Sequence, residues 1–294
     1  MKRRGFLLAT GISAVIILGI LFVKKDWLVN LLARDRTEEL WGQQVDVILF
    51  MGQSNMSGAE GNAKEAPEVT EGAGYEYRAV TRPDALLALK EPLGGKEHRE
   101  GFLDDRELLE RKGTMASAFV NAYYEETAVP VVAIAASRGS SSMGSWLERL
   151  AQDALERLEL CRNHLERNHI QIRHCYMVWM QGEADANKET PAEEYMEDMR
   201  MLMDQMEAGG VETCFLIQIG NHLQQPGHHR EIQQAQLALC QQDKRIVLAS
   251  TLPAQLDEEL DEGGVHFSQT GLNQIGRDAG SAAGAFVKAQ SETN

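Results

Sequence analysis

The sequence predicts an α/β fold, a three-layer α/β/α sandwich around a central parallel sheet. Three observations carry this reading. Five short runs, at residues 45–51, 129–136, 172–180, 213–219 and 245–250, are dense in apolar and β-branched side chains and are bounded by glycine or polar residues. Strands apolar at successive positions are those covered on both faces. Between them, residues 146–168, 191–208, 228–242 and 268–290 repeat apolar side chains at spacings of three and four, with charged residues between, as amphipathic helices do. The two kinds of segment alternate along the chain, and that alternation is the pattern of a parallel sheet with helices on both faces.

The elements that break the rhythm lie at the start and between the first two strands. Residues 5–23 are 19 uncharged residues between Lys2-Arg3-Arg4 and Lys24-Lys25, a length that just spans hydrocarbon. They predict a membrane anchor at 1–25, with the larger positive charge keeping the short tail cytoplasmic and the bulk of the chain outside. A cleaved signal peptide and a secreted protein are the alternative. Residues 26–44 then read as a juxtamembrane linker, and residues 45–290 as one catalytic domain of a size that buries a full core. Residues 57–112, rich in Glu, Gly and Lys, carry only weak strand or turn signals at 75–80 and 86–93 and read as a long excursion over the site.

Charge excludes one class of partner. The net charge is −15, and beyond residue 30 the chain holds 24 basic against 43 acidic side chains, so nucleic acid is not expected. Cys161, Cys175, Cys214 and Cys240 stand outside any Cys-x-x-Cys spacing and read as buried thiols. His222, His228 and His229 cluster around Pro226-Gly227 without a carboxylate or thiol at ligand spacing, which predicts a turn rather than a metal site. The run Met196, Met199, Met201, Met203 and Met206 reads as core packing.

In open parallel sheets, sites form at the carboxyl ends of the strands, and three motifs fall there. Gly52-Gln53-Ser54-Asn55-Met56 follows the first strand, where a serine on a sharp turn is placed as a nucleophile. Trp179-Met180-Gln181-Gly182-Glu183-Ala184-Asp185 ends the third, where a side-chain amide is available to a developing oxyanion. Val265-His266-Phe267-Ser268 precedes the last helix and supplies an imidazole to take the serine proton.

Together these blocks resemble the sialate O-acetylesterase-like branch of the SGNH hydrolases, which includes the acetyl-xylan esterases of carbohydrate esterase family 6. Ser137-Arg138-Gly139-Ser140-Ser141-Ser142-Met143-Gly144-Ser145-Trp146 is similar to a fourth block of that family, with Ser140 where a second glycine is usual. The resemblance implies a flavodoxin-like SGNH fold and a serine esterase cleaving short acyl groups, O-acetyl above all, from a carbohydrate without metal or cofactor. It implies Ser54 as nucleophile, His266 as base and then acid, and an oxyanion hole from the Ser54 N–H, a main-chain N–H at Gly139 or Ser140, and the Gln181 amide. The family often carries Asp three residues before the histidine, where this chain has Gly263. The third triad member therefore stays open between Asp261 or Glu262 folded back by Gly263-Gly264, Glu183 as an alternative orienting acid, and none, a Ser-His dyad. Glu183 and Asp185 also read as carboxylates that hold the site loops, and Trp146 and Trp179 as packing beneath them. A catalytically silent carbohydrate-binding protein and a glycan O-acyltransferase are the competing readings.

Overall fold

Residues 44–52 are apolar at almost every position because the strand they form is covered twice. In the computed structural model, which describes residues 33–95, 97 and 111–291, strand β1 (Gln44–Gly52) sends Val45, Val47, Leu49 and Met51 into one apolar cluster, and Ile48 and Phe50 into another on the opposite face. The other strands are β2 (Gly74–Arg78), β3 (Arg82–Ala88), β4 (Val131–Ala135), β5 (Gln171–Met180), β6 (Thr213–Ile217) and β7 (Ile246–Ser250). They form one seven-stranded sheet in the order β3-β2-β4-β1-β5-β6-β7. Every pairing is parallel except β2 with β3. The five strands expected from sequence thus form a parallel sheet, with β1 at its centre.

Three long helices cover one face: α4 (Ala151–Arg167), α6 (Ala192–Ala208) and α7 (Arg230–Gln242). Met196, Met199, Met203 and Met206 project from α6 into the core, whereas Met201 is 48% exposed, so the methionine run is core packing with one exception. The other face is covered by α2 (Ala116–Thr127) and α8 (Gln269–Ser291). The α2 helix is not legible in the helical pattern, because Ala116, Ser117, Ala118, Phe119 and Val120 are all buried in succession. Gly276, Gly280 and Gly284 of α8 let it lie close to α2; a Cβ at Gly280 would stand 2.3 Å from the Phe119 carbonyl oxygen.

Within the segment read as an excursion, residues 74–88 form a β-hairpin. Tyr75, Tyr77 and Leu86 of β2 and β3 enter the core, so the hairpin extends the sheet beyond β4 rather than lying over the site. The described residues from Arg36 onward form one compact unit. Within the stretch read as a linker, Thr37–Leu40 is already a 3-10 helix: Leu40 is fully buried, and Thr37 Oγ1 lies 3.1 Å from His164 Nε2. The predicted anchor at residues 5–23 lies outside the described residues; among those described, no helix is long and apolar enough to cross a membrane.

Candidate active site

The site is assembled where β1, β4 and β5 end side by side, at the position where the chain first turns to opposite sides of β1. Gly52 makes the turn possible. Its φ is +131°, and a Cβ there would lie 2.1 Å from the Met180 carbonyl oxygen, so only glycine brings β1 this close to the end of β5. Ser54 then opens the short helix α1 (Ser54–Ser57). Gln53 ties this turn to its neighbour, its Oε1 accepting the N–H of Ala184 at 3.1 Å at the start of helix α5 (Glu183–Asn187).

His266 arrives from the loop before α8. Its Nε2 lies 2.9 Å from Ser54 Oγ, and its Nδ1 lies 3.5 Å from Asp261 Oδ2. Of the acids considered for the third position, Asp261 is therefore the one facing the imidazole. Its other oxygen accepts the N–H groups of Val265 and His266, both at 3.1 Å, and its own N–H donates to the His266 carbonyl at 2.8 Å. Partial burial pushes the Asp261 carboxyl upward, but those N–H donors and the imidazole outweigh it and hold the group below the usual carboxylate range. The Glu262 side chain is exposed; its role in the loop is through its carbonyl, which accepts from Gln224 Nε2.

Glu183 is buried, and its Oε1 accepts Asn55 Nδ2 at 2.8 Å. Burial raises its pKa, opposed by its own N–H, the Asn55 amide and the nearby His266. It stands behind the Ser54–His266 pair rather than on the ring's Nδ1. Asn55, to which the motif reading gave no role, is the clamp between the two blocks. Its Nδ2 also donates to the Val265 carbonyl at 3.1 Å, and its Oδ1 accepts the Phe267 N–H at 3.1 Å, so the residue after the nucleophile grips the backbone on both sides of the histidine.

The oxyanion expectation is corrected at Gln181. Its side chain is fully buried, and Nε2 donates to the Ser141 carbonyl at 2.9 Å and to Asp185 Oδ2 at 2.5 Å. Both amide hydrogens are thus committed to holding loops. Asp185, raised by burial against the pull of Gln181 and the Met143 N–H, accepts that N–H at 3.0 Å, fixing the start of helix α3 (Met143–Ser145). Of the other groups expected to face an oxyanion, the Ser54 N–H lies at the start of α1 and the Gly139 and Ser140 N–H groups lie in the turn after β4. Ser140 has φ +54°, the left-handed conformation that the glycine usual in similar sequences adopts easily. The turn is closed by Ser141 Oγ, which donates to the Arg138 carbonyl at 2.7 Å and accepts Trp146 Nε1 at 2.9 Å. Trp146 and Trp179, both fully buried, pack edge to face with ring centroids 5.0 Å apart, beneath the site loops as expected.

The remaining residues singled out in the sequence lie apart from the reacting atoms. The rings of His222, His228 and His229 pack against one another tilted or edge to face, at centroid distances of 5.4 to 5.8 Å, in the loop behind Gly264, where the Leu223 N–H donates to the Gly264 carbonyl at 3.0 Å. Among the described residues no group of three His, Cys, Asp or Glu side chains is arranged to hold a metal. The four cysteines are free thiols, three of them buried.

A family model described as carbohydrate esterase, sialic acid-specific acetylesterase, matches residues 44–284. Among curated proteins no sequence matches the chain. Solved structures share its fold. A protein from Arabidopsis thaliana superposes with a TM-score of 0.61 at 19% identity, over 84% of this chain and 98% of that one. NanS does so at 0.56 and 14%, over 84% and 98%. A carbohydrate acetylesterase from Xanthomonas citri does so at 0.52 and 17%, over 85% of this chain and 57% of that one.

Proposed function

The chain belongs to the sialic acid-specific acetylesterase family of carbohydrate esterases, and from that premise we propose that it hydrolyses O-acetyl esters on a carbohydrate, with Ser54 as nucleophile and His266 as general base. The observation that carries the reading is the 2.9 Å contact between Ser54 Oγ and His266 Nε2, a distance at which the imidazole takes the hydroxyl proton as the oxygen attacks.

With a proton on Nδ1, facing Asp261, the free Nε2 accepts the Ser54 proton, and Asp261 stabilises the imidazolium that forms. The carbonyl oxygen gains negative charge as Oγ bonds to carbon, and the N–H groups of Ser54 and the Gly139–Ser140 turn receive it. Collapse breaks the bond to the sugar oxygen, which takes the proton from Nε2, leaving Ser54 acetylated. Water then attacks the acetyl-serine with His266 again as base, releasing acetate and free serine.

Residues 5–23, with charge on both flanks, are proposed to hold this domain outside the cytoplasmic membrane; sedimentation of the full-length chain with membranes is the expected result, and a mature chain beginning after residue 25 in the medium the contrary one.

The reading is tested by acetate release from p-nitrophenyl acetate and from a panel of acetylated glycans carrying sialic acid, xylose or N-acetylhexosamine units. Release from at least one glycan, with the freed hydroxyl appearing on the sugar, supports it. Binding of a glycan without release contradicts it in favour of a silent binding protein, and transfer of the acetyl group to an added sugar contradicts it in favour of an acyltransferase.

A further inference from the structure

We infer that Arg111 is a positioning residue for the oxyanion hole, an inference that rests on the esterase reading above. The peptide unit that leads into the Gly139–Ser140 turn joins Ser137 to Arg138, and it is held at both ends. The Arg138 N–H donates to the Gly52 carbonyl at 2.7 Å, and Arg111 Nη2 donates to the Ser137 carbonyl at 2.8 Å. The second prong of the same guanidinium, Nη1, donates to Ser137 Oγ at 2.8 Å. That hydroxyl oxygen also accepts from Ser57 Oγ at 3.1 Å, and Ser57 is the last residue of the helix that Ser54 begins.

One side chain from outside both turns therefore grips the carbonyl and the hydroxyl of a single residue, and through Ser57 it links the turn carrying the nucleophile to the turn carrying the donors. Ser137 is 7% exposed, so these bonds are made away from bulk water, where charge-assisted hydrogen bonds are stronger than neutral ones. The planar fork fixes an angle as well as a distance, which an ammonium on a flexible stem does not reproduce. Release of the Ser137 carbonyl lets the 137–138 peptide rotate, and that rotation swings the N–H groups immediately after it. Arg111 acts through Ser137, whose carbonyl and hydroxyl its two prongs hold.

The test compares the full chain with Arg111→Ala and Arg111→Lys by turnover of p-nitrophenyl acetate, by binding of phenylboronic acid, which adds to the serine and mimics the charged tetrahedral intermediate, and by melting temperature. We expect Arg111→Ala to lower kcat by about 10²-fold, the cost of a displacement of roughly 1 Å in a catalytic group, and to weaken boronate binding in step while KM changes little. Millimolar guanidinium should restore part of the rate to Arg111→Ala, and sodium chloride at the same ionic strength should not. Arg111→Lys should keep the melting temperature and recover little of the rate, which maintains the test even where the alanine variant folds poorly. Unchanged boronate affinity in a folded Arg111→Ala or Arg111→Lys, or a loss of rate that merely follows the melting temperature and is cured by lysine, overturns the inference. An inactive parent that also fails to bind boronate overturns the esterase reading itself, a result separate from an active parent that is indifferent to Arg111.

Discussion

Asp261 reaches the far side of the His266 ring from five residues earlier, with Oδ2 3.5 Å from Nδ1 while Oδ1 accepts the N–H groups of Val265 and His266. The loop closes on itself at Gly264, whose φ is +74° and whose N–H donates to the Asp261 carbonyl at 2.9 Å. In the mechanism proposed above, a carboxylate placed by such a loop orients the imidazole and stabilises its protonated form. Asp261→Asn, which retains an acceptor for the loop N–H groups, should therefore lower kcat by up to about 10⁴-fold with little change in melting temperature, whereas Glu262→Gln should leave the rate unaltered. Steady-state kinetics of the two variants decide between them.

The rate profile above pH 5 should be insensitive to the protonation of Asp261. The Asp261 carboxyl is held below the usual carboxylate range in the folded chain, so its stabilising contacts persist above the unfolded value of about 3.9 and are lost only as pH falls through the lower folded value. Protonation of Asp261 should accordingly cause no loss of kcat/KM between neutral pH and pH 5; a fall in that range with a slope of two protons contradicts the assignment.

Gly52→Ala should abolish the nucleophile turn. The new Cβ would meet the Met180 carbonyl oxygen at 2.1 Å at a φ of +131°, and strain plus overpacking of this kind costs about 3 kcal/mol or more. The expected outcome in urea denaturation is a midpoint shifted far below that of the parent, with loss of soluble protein at physiological temperature.

Ser140→Gly should act in the opposite direction. Ser140 holds φ +54°, which costs a residue with a side chain about 1–2 kcal/mol relative to glycine, offset by the roughly 0.5–1 kcal/mol that glycine loses through its freer unfolded chain. A stability between unchanged and about 1 kcal/mol higher, with activity retained because the N–H donor remains, is expected from thermal melts and kinetics.

His222 and His229 should make the fold sensitive to mild acid. Burial is the largest influence and lowers both below the ordinary imidazole value, and the neighbouring imidazoles push in the same direction; Asp261 opposes this on His222, and the Gly220 carbonyl opposes it on His229 more strongly than His228 reinforces it. The unfolded chain then binds protons that the folded chain refuses, so stability falls as pH drops from about 6.5 towards the depressed folded values. His222→Phe should make that fall shallower, read as the urea midpoint from pH 8 to pH 5.

The sheet is legible because β1, β4 and β6 are buried on both faces along nearly their whole length, as is the second half of β5, and so read as near-continuous apolar runs. The hairpin β2–β3 was obscure for the converse reason: it lies at an edge, with Glu76 and Arg82 buried in polar contacts that break the apolar signal. Helix α2 escaped because its first turn is buried on all sides, which erases a 3.6-residue period. At the site, the Ser54 block is legible as a turn at the end of β1 and the His266 block as the loop before the last helix, and the fold brings the two side chains to 2.9 Å. Gln181 was misassigned because an amide at such a position reads as a donor to substrate, whereas tertiary packing spends both its hydrogens on Ser141 and Asp185. Asn55 and Arg111 carried no pattern; their partners at Val265, Phe267 and Ser137 lie far away along the chain, and only the fold brings them together.

The central claim is that Ser54 is the nucleophile. Intact-mass and peptide mapping after treatment with a fluorophosphonate test it most directly. A single adduct on the peptide containing Ser54, absent in Ser54→Ala and strongly slowed in His266→Ala, is the predicted result; an adduct at another residue, or an unmodified Ser54 in a chain that still releases acetate, would contradict it.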